Sequence, residues 1–317
     1  MQYSQFYEVL KELKSKFTKY FRFFFFVFSV LLLYRVAHLE WAQFNLLLQW
    51  FNDPEAQYIW TLVLCLVPLN WALESIKWYR LYQFGFRIPF SFMQAYLSTL
   101  AGLSYSLVLP IGIGEYLARL QKGVNHWSVL GLLSISRAAQ LLVTCISGGL
   151  ALIYLTYVHY WYMMSMLIFA LMLLILGLYF FTEQVLQYFK KWMLNDMLSK
   201  ILNPWRGNQL LKVEMLMWSM FRYGVFTLQF YLLLKLVGYE GTWTLALFNI
   251  VIIFLVKSLI PSFLDLGPRE LMATIMFAGE FSHHAVFASL ILWLVNIMLP
   301  GIIGLIGVYK NFKQIQS

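Results

Sequence analysis

The sequence predicts an all-α, polytopic integral membrane protein with six full spans and two re-entrant helical hairpins arranged as inverted repeats. Three observations lead there. Hydrophobic residues make up 61% of the 317 and charged residues only 12%, a balance beyond what a soluble core requires. Apolar runs near or above the roughly 20 residues that cross a bilayer recur along the chain. Two further apolar stretches stop at a cluster of proline, glycine and charged residues that a simple span would not carry.

The elements follow in chain order. In residues 1–22, Phe6, Leu10, Leu13 and Phe17 recur at three- and four-residue spacing, with Lys11, Lys14, Lys16 and Lys19 over the remaining surface. That is the pattern of an amphipathic helix on the cytoplasmic membrane surface. The segment lacks the apolar core and small-residue cleavage site of a secretory signal, so the first span is expected to be retained. Full spans are predicted at about 23–40, 56–74, 128–156, 160–181, 215–237 and 285–309. The stretches 91–109 and 243–260 run instead into Pro110 and Pro261.

Basic residues set the orientation. Lys and Arg gather at 11–22, at Lys77, Arg80 and Arg87, at 190–212 and at Lys310 and Lys313, whereas 41–55, 157–159, 238–242 and 281–284 carry none. The basic segments are expected in the cytoplasm of a cell bounded by this (inner) membrane, with both termini among them. The net charge of +9 then reads as topology and attraction to anionic lipid, not as nucleic-acid binding. With these ends fixed, 91–109 must enter from the cytoplasm, break near Pro110 and return before the span at 128. By the same argument 243–260 enters from outside, breaks over Pro261 to Gly267, and returns through 271–280. A full crossing is the alternative for each, since about 18 apolar residues nearly span. As hairpins, they make residues 23–157 and 158–317 one unit in two opposite orientations, the pattern of transporters whose site lies between the repeats near the bilayer midplane.

The two breaks carry the candidate chemistry. The first holds Pro110, Gly112, Gly114, Glu115 and Arg119; the second holds Pro261, Asp265, Gly267, Arg269 and Glu270. Each has a proline, a turn that glycine makes affordable, then a glutamate opening a new helix with an arginine close by. A helix restarting at membrane depth presents free N–H groups suited to phosphate or carboxylate. Glu115 and Arg119, four apart with the acid first, could simply neutralise each other. Their recurrence as Arg269 and Glu270, at about 2.5–3.5 kcal/mol per intramembrane charge, favours a binding role. Arg137, with Gln140 three residues on, would supply positive charge to the same cavity or serve as a structural partner of Glu115. Lys257 and Asp265 are secondary candidates, Lys257 being equally able to snorkel toward water. Arg35, Arg222 and Lys235 are read as interfacial, and the aromatic runs FRFFFFVF and HYWYMM as lipid-facing belts. Cys65, Cys145 and the five histidines show no zinc spacing, and no nucleophile motif is present, so no catalytic residue, metal or cofactor is expected.

The two broken segments resemble those of the lysylphosphatidylglycerol synthase transmembrane family, the flippase-like membrane proteins that include the membrane domain of multiple peptide resistance factors. Pro110, Gly112, Gly114, Glu115 and Arg119 match the first family signature, Pro261, Gly267, Arg269 and Glu270 the second, and Arg137 resembles a recurrent arginine in the helix between them. Asp265 stands where the family pattern has glycine, and Ser136 and Gln140 where it has acidic residues. The resemblance implies translocation of a phospholipid or lipid-linked anionic head group between the leaflets of a bacterial inner membrane, bound by Glu115, Arg119, Arg137, Arg269 and Glu270. The implied partners are membrane lipids, with homo-oligomers allowed. Because the chain ends at Ser317 there is no room for the soluble aminoacyl-transferring domain of some relatives, so lipid synthesis is not expected. Two other readings stay open. One is a membrane-embedded enzyme acting on a lipid-linked phosphate or sugar with Glu115 or Glu270 as general base, for which no nucleophile or metal set is visible. The other is a non-catalytic envelope-assembly scaffold, for which the intramembrane charges would be dispensable.

Overall fold

Helix ends in this chain follow local chemistry. In the computed structural model, which describes residues 53–86, 88–107, 113–120, 124–182, 184, 201, 203–205, 209–260, 266–279 and 281–305, every regular element is helical. These residues all fall in one unit, Trp50–Ser317. Helix α1 (Pro54–Gly85) opens with Asp53 accepting from the Glu55 N–H at 3.0 Å and with Pro54 in the first turn, where a missing donor costs nothing. Its 32 residues run well past the span expected at 56–74, which places Lys77 and Arg80 inside the helix and not after it. Helix α2 (Phe92–Ser106) begins with a reciprocal cap: Ser91 accepts from the Gln94 N–H at 3.2 Å, and Gln94 accepts from the Ser91 N–H at 2.8 Å. The short α3 (Ile113–Arg119) follows, then α4 (His126–Val158), capped by Asn125, and α5 (Tyr162–Phe180).

After a 3-10 turn at Asn203–Trp205 come α6 (Gln209–Leu236), α7 (Trp243–Leu259), α8 (Pro268–Met276) and α9 (Ser282–Leu305). Within α9, Leu294–Met298 widens into a π turn. Gly238, at φ 86°, ends α6 in the left-handed region that a side chain would resist.

Among the described residues, α1, α4, α5 and α9 are long and apolar enough to cross a membrane, as an integral membrane protein requires. Helix α6 has the length, at 28 residues, but interrupts its apolar sequence with Lys212, Glu214, Arg222 and Lys235. The amphipathic helix expected at 1–22 and the span at 23–40 lie outside the described residues. Helix α5 buries only Tyr179 and exposes Met163, Met166 and Leu174, so it is apolar on every side and suited to lipid.

Packing brings broken and unbroken stretches together. Helices α1 and α6 run antiparallel: Gln229 donates to the Val63 carbonyl at 3.0 Å near one end, and Arg80 meets Glu214 at 2.6 Å near the other. Between them and α4 lies a core that includes Trp78, Leu81, Leu132, Ala139, Leu142 and Met215. Helices α2 and α3 fold back on each other so closely that a Cβ at Gly114 would stand 2.5 Å from the Ser106 nitrogen, and one at Gly102 3.2 Å from Glu115 Cα. Helices α7 and α8 double back likewise, Asn249 Nδ2 donating to the Met276 carbonyl at 3.0 Å. Each of these doubled stretches then leans on a long helix through small residues. A Cβ at Gly148 of α4 would meet Leu255 of α7, and one at Gly304 of α9 would collide with the Leu100 carbonyl of α2.

That contact yields a direct test. Gly304→Ala should lower the unfolding temperature in detergent, at an overpacking cost of about 1–3 kcal/mol. At Gly224 an added Cβ meets nothing within 4 Å. Gly224→Ala should therefore leave stability unchanged or raise it by up to about 1 kcal/mol.

Candidate functional site

A polar stripe runs down one side of α1. Asn70, Glu74 and Lys77 recur at four- and three-residue spacing and all are buried, as are Trp71 and Trp78 beside them. In lipid the polar side of a helix turns inward, because a charge facing hydrocarbon costs several kcal/mol. Glu74 is the centre of what this stripe meets. Lys77 Nζ lies 2.8 Å from its carboxylate, Arg222 Nη1 of α6 3.0 Å, Arg119 Nη2 of α3 3.4 Å, and Gln140 Nε2 of α4 donates at 2.8 Å. Four helices therefore bring a donor to one carboxylate.

A second carboxylate extends the network. Glu115 pairs with Arg119 at 2.7 Å on its own short helix and with Arg137 across on α4. Arg119 is sealed in, its guanidinium stacked 4.8 Å from the Trp78 ring centre; its Nε and Nη1 have no hydrogen-bond partner among the described residues. The ring face takes the place of those partners. Arg222 stacks 5.0 Å from the Trp71 ring centre and donates from Nε to Asn70 at 3.1 Å. Asn70 and Trp71 in turn donate to Asn296 of α9, at 2.8 and 3.0 Å, which fixes the rotamers of this wall.

Exposure separates these cations. The Lys77 and Arg119 side chains are 0% and 1% exposed, that of Arg222 19% and that of Arg137 54%. The open side faces a cavity of about 430 Å³. Its lining combines a charged and polar set, Glu74, Glu115, Arg119, Arg137, Gln140 and Arg222, with apolar side chains that include Leu141, Phe226, Phe254 and Ile297. Ser106 at the end of α2 and Lys257, Ser258 and Ile260 at the end of α7 also line it, so both broken stretches deliver their ends to one space. Among the described residues no cluster of His, Cys, Asp or Glu could hold a metal ion.

No protein-family model, curated protein or solved structure matches this chain.

The structure gathers Glu115, Arg119, Arg137 and Gln140 around the cavity, with Lys257 also on its lining, and Gly114 makes the hairpin contact. Pro110, Gly112, Pro261 and Asp265 lie outside the described residues. Arg269 and Glu270 are placed elsewhere, a correction to the expectation that they share this cavity. Arg269 Nη2 lies 2.8 Å from Glu270, Ser289 bridges the two at 2.7 and 2.9 Å, and Glu270 accepts from the Gly267 N–H at 2.7 Å. Gly267 sits at φ 104°, a backbone shape few other residues adopt, so this pair caps α8 and ties it to α9. Arg222 is likewise corrected. It sits mid-helix in α6 and pairs with Glu74, where sequence reading placed it at an interface. Lys77, read as an orientation signal, is buried against Glu74 and donates to Ser219 at 3.4 Å. Arg80 does reach the surface, where its pair with Glu214 is worth at most about 1 kcal/mol.

Proposed function

We propose that this protein moves a lipid with an anionic head group between the two leaflets of its membrane, through the cavity between the doubled helices. The observation that carries this reading is a single cavity among membrane-crossing helices whose lining combines a charged network with apolar side chains. An inorganic ion has no use for the apolar lining, and an acyl chain none for the charged groups; an amphiphile fits both.

The helix order supports a transporter architecture. Helices α1–α4 and α6–α9 repeat the sequence long, medium, short, long. The glycine contact of α2 with α9 is answered by that of α7 with α4, and α1 runs antiparallel to its counterpart α6. Two copies of one unit, related by a two-fold axis in the membrane plane, would give this pattern. On that reading α2–α3 and α7–α8 are re-entrant hairpins, six full spans include one over 23–40, both termini are cytoplasmic, and the membrane is the inner one. The short signatures around Glu115 and Glu270 favour the flippase-like family named for lysylphosphatidylglycerol synthase.

The test is leaflet exchange. Full-length protein in phosphatidylcholine liposomes, doped with fluorescent phosphatidylglycerol, is challenged with a membrane-impermeant quencher. Quenching should proceed past the outer-leaflet plateau with protein present, and mass spectrometry should find the labelled lipid covalently unchanged. A plateau equal to that of protein-free liposomes would refute transport, and a modified lipid would mark an enzyme.

A further inference from the structure

We infer that the cavity holds a phosphate group between Arg137 of α4 and Arg222 of α6, and that Glu115 is the built-in anion this phosphate displaces. The inference deepens the transport reading and rests on it for the lipid, though not for the site itself.

Charge balance comes first. Lys77, Arg119, Arg137 and Arg222 surround Glu74 and Glu115, four cations against two carboxylates. Exposure then divides the cluster into two layers. Glu74, Lys77 and Arg119 are sealed, and their pairing ties α3 to α1. Arg137 and Arg222 both line the cavity and keep some exposure, 54% and 19% of their side chains. An anion entering it would be attracted to both inside low-dielectric surroundings, where each attraction is stronger than in water.

The chemistry of the two groups selects the anion. Guanidinium is a planar fork that matches an oxyanion edge bidentately. A phosphate, with more oxygens than the two of a carboxylate, can accept from donors on two helices at once and still leave an oxygen for its ester link. The Ser219 hydroxyl lines the same space as a further donor, and the apolar side chains of the lining would receive the first carbons of a glycerol or prenyl chain.

Glu115 explains how such a site stays stable when empty. Its carboxylate touches both layers, Arg119 in the sealed one and Arg137 in the open one. An arriving phosphate takes Arg137 and leaves Glu115 with Arg119, so no buried carboxylate is stranded at any stage. Binding becomes an exchange of one anion for another, and release is its reverse.

Opposite responses at Arg137 and Glu115 are the signature. Phosphatidic acid with short chains would be titrated into full-length protein in phosphatidylcholine nanodiscs, and inorganic phosphate into the same protein in neutral detergent. Arg137→Gln should weaken phosphate binding about tenfold or more. Glu115→Gln, which removes the competitor, should tighten it several-fold. Arg222→Gln should weaken it too; if loss of a Glu74 partner prevents that variant from folding, the variants at half-exposed Arg137 and at Glu115 still decide the matter. A purely structural role for these residues would move both variants in the same direction or not at all, and that result would overturn the site. Opposite shifts with phosphatidic acid, but no leaflet exchange, would keep the site and end the transport reading. Opposite shifts with inorganic phosphate alone would keep the site and remove lipid as its source. Exchange that persists while Arg137→Gln leaves binding untouched would overturn the site and leave transport standing.

Discussion

Glu74→Gln is expected to cost this protein about 3–5 kcal/mol of stability, read as a large fall in its apparent unfolding temperature in detergent. The reason lies in what glutamine leaves behind. Lys77 is within 2.8 Å of that carboxylate, Arg222 within 3.0 Å and Arg119 within 3.4 Å, and Lys77 and Arg119 have no exposure through which to find water. Removing the negative charge strands buried cations that repel one another. A second substitution separates this account from simple loss of a hydrogen bond. Lys77→Met in the Glu74→Gln background should recover part of the loss, because it withdraws one of the stranded charges and keeps the side-chain volume. If the double variant is as unstable as the sum of the two singles, Glu74 does not act as the hub of the network.

The second large effect concerns Arg269 and Glu270. Arg269→Leu should be destabilising by about 3–5 kcal/mol, since it leaves Glu270 buried with only Ser289 and the Gly267 N–H. Adding Glu270→Gln should restore most of that loss, because glutamine keeps an acceptor for the Gly267 N–H and carries no charge. The double variant should then exchange lipid at close to the wild-type rate per folded molecule. A folded double variant that has lost exchange would place this pair in the transport path, against its separation from the cavity in the structure.

Much of the fold was legible in the sequence because the signals were long. Apolar runs above the span length marked α4, α5 and α9, and the proline and glycine clusters marked both places where the chain doubles back. The first half of the site was legible for the same reason: Glu115, Arg119 and Arg137 are rare charges inside apolar sequence. Glu74, Lys77 and Arg222 escaped for a physical reason. Lys77 is followed by Arg80 and Arg87, and basic residues after an apolar run ordinarily mark its cytoplasmic end, so a span ending at 74 stops eleven residues short of Gly85. The correcting signal was present. No glycine or second proline interrupts the chain from Pro68 to Gly85, and the spacing of 70, 74 and 77 puts the polar residues on one face. Arg269 and Glu270 show the converse error. Adjacent residues on a helix point in different directions, so their side chains could not both be assigned to a cavity by analogy with a pair four apart.

The π turn at Leu294–Met298 changes the angular phase of α9. A regular helix turns about 100° per residue, so one extra residue absorbed in a wide turn offsets everything beyond it by nearly that angle. Ahead of the turn, Ala285, Ala288, Ser289 and Leu292 are buried, and Ser289 holds Arg269. Beyond it, Gly301 lies against Leu107, just past the end of α2, and Gly304 against Leu100 within it. At the join, the Asn296 carbonyl accepts the Trp71 indole N–H. The offset thus brings the two glycines round to the side of α9 that Ala285, Ser289 and Leu292 bury, where an uninterrupted helix would turn them roughly 100° away. At these five positions the chain is more sensitive to residue count than to residue identity: a single deletion would rewind the turn and swing both glycines off α2, where most substitutions would leave them in place.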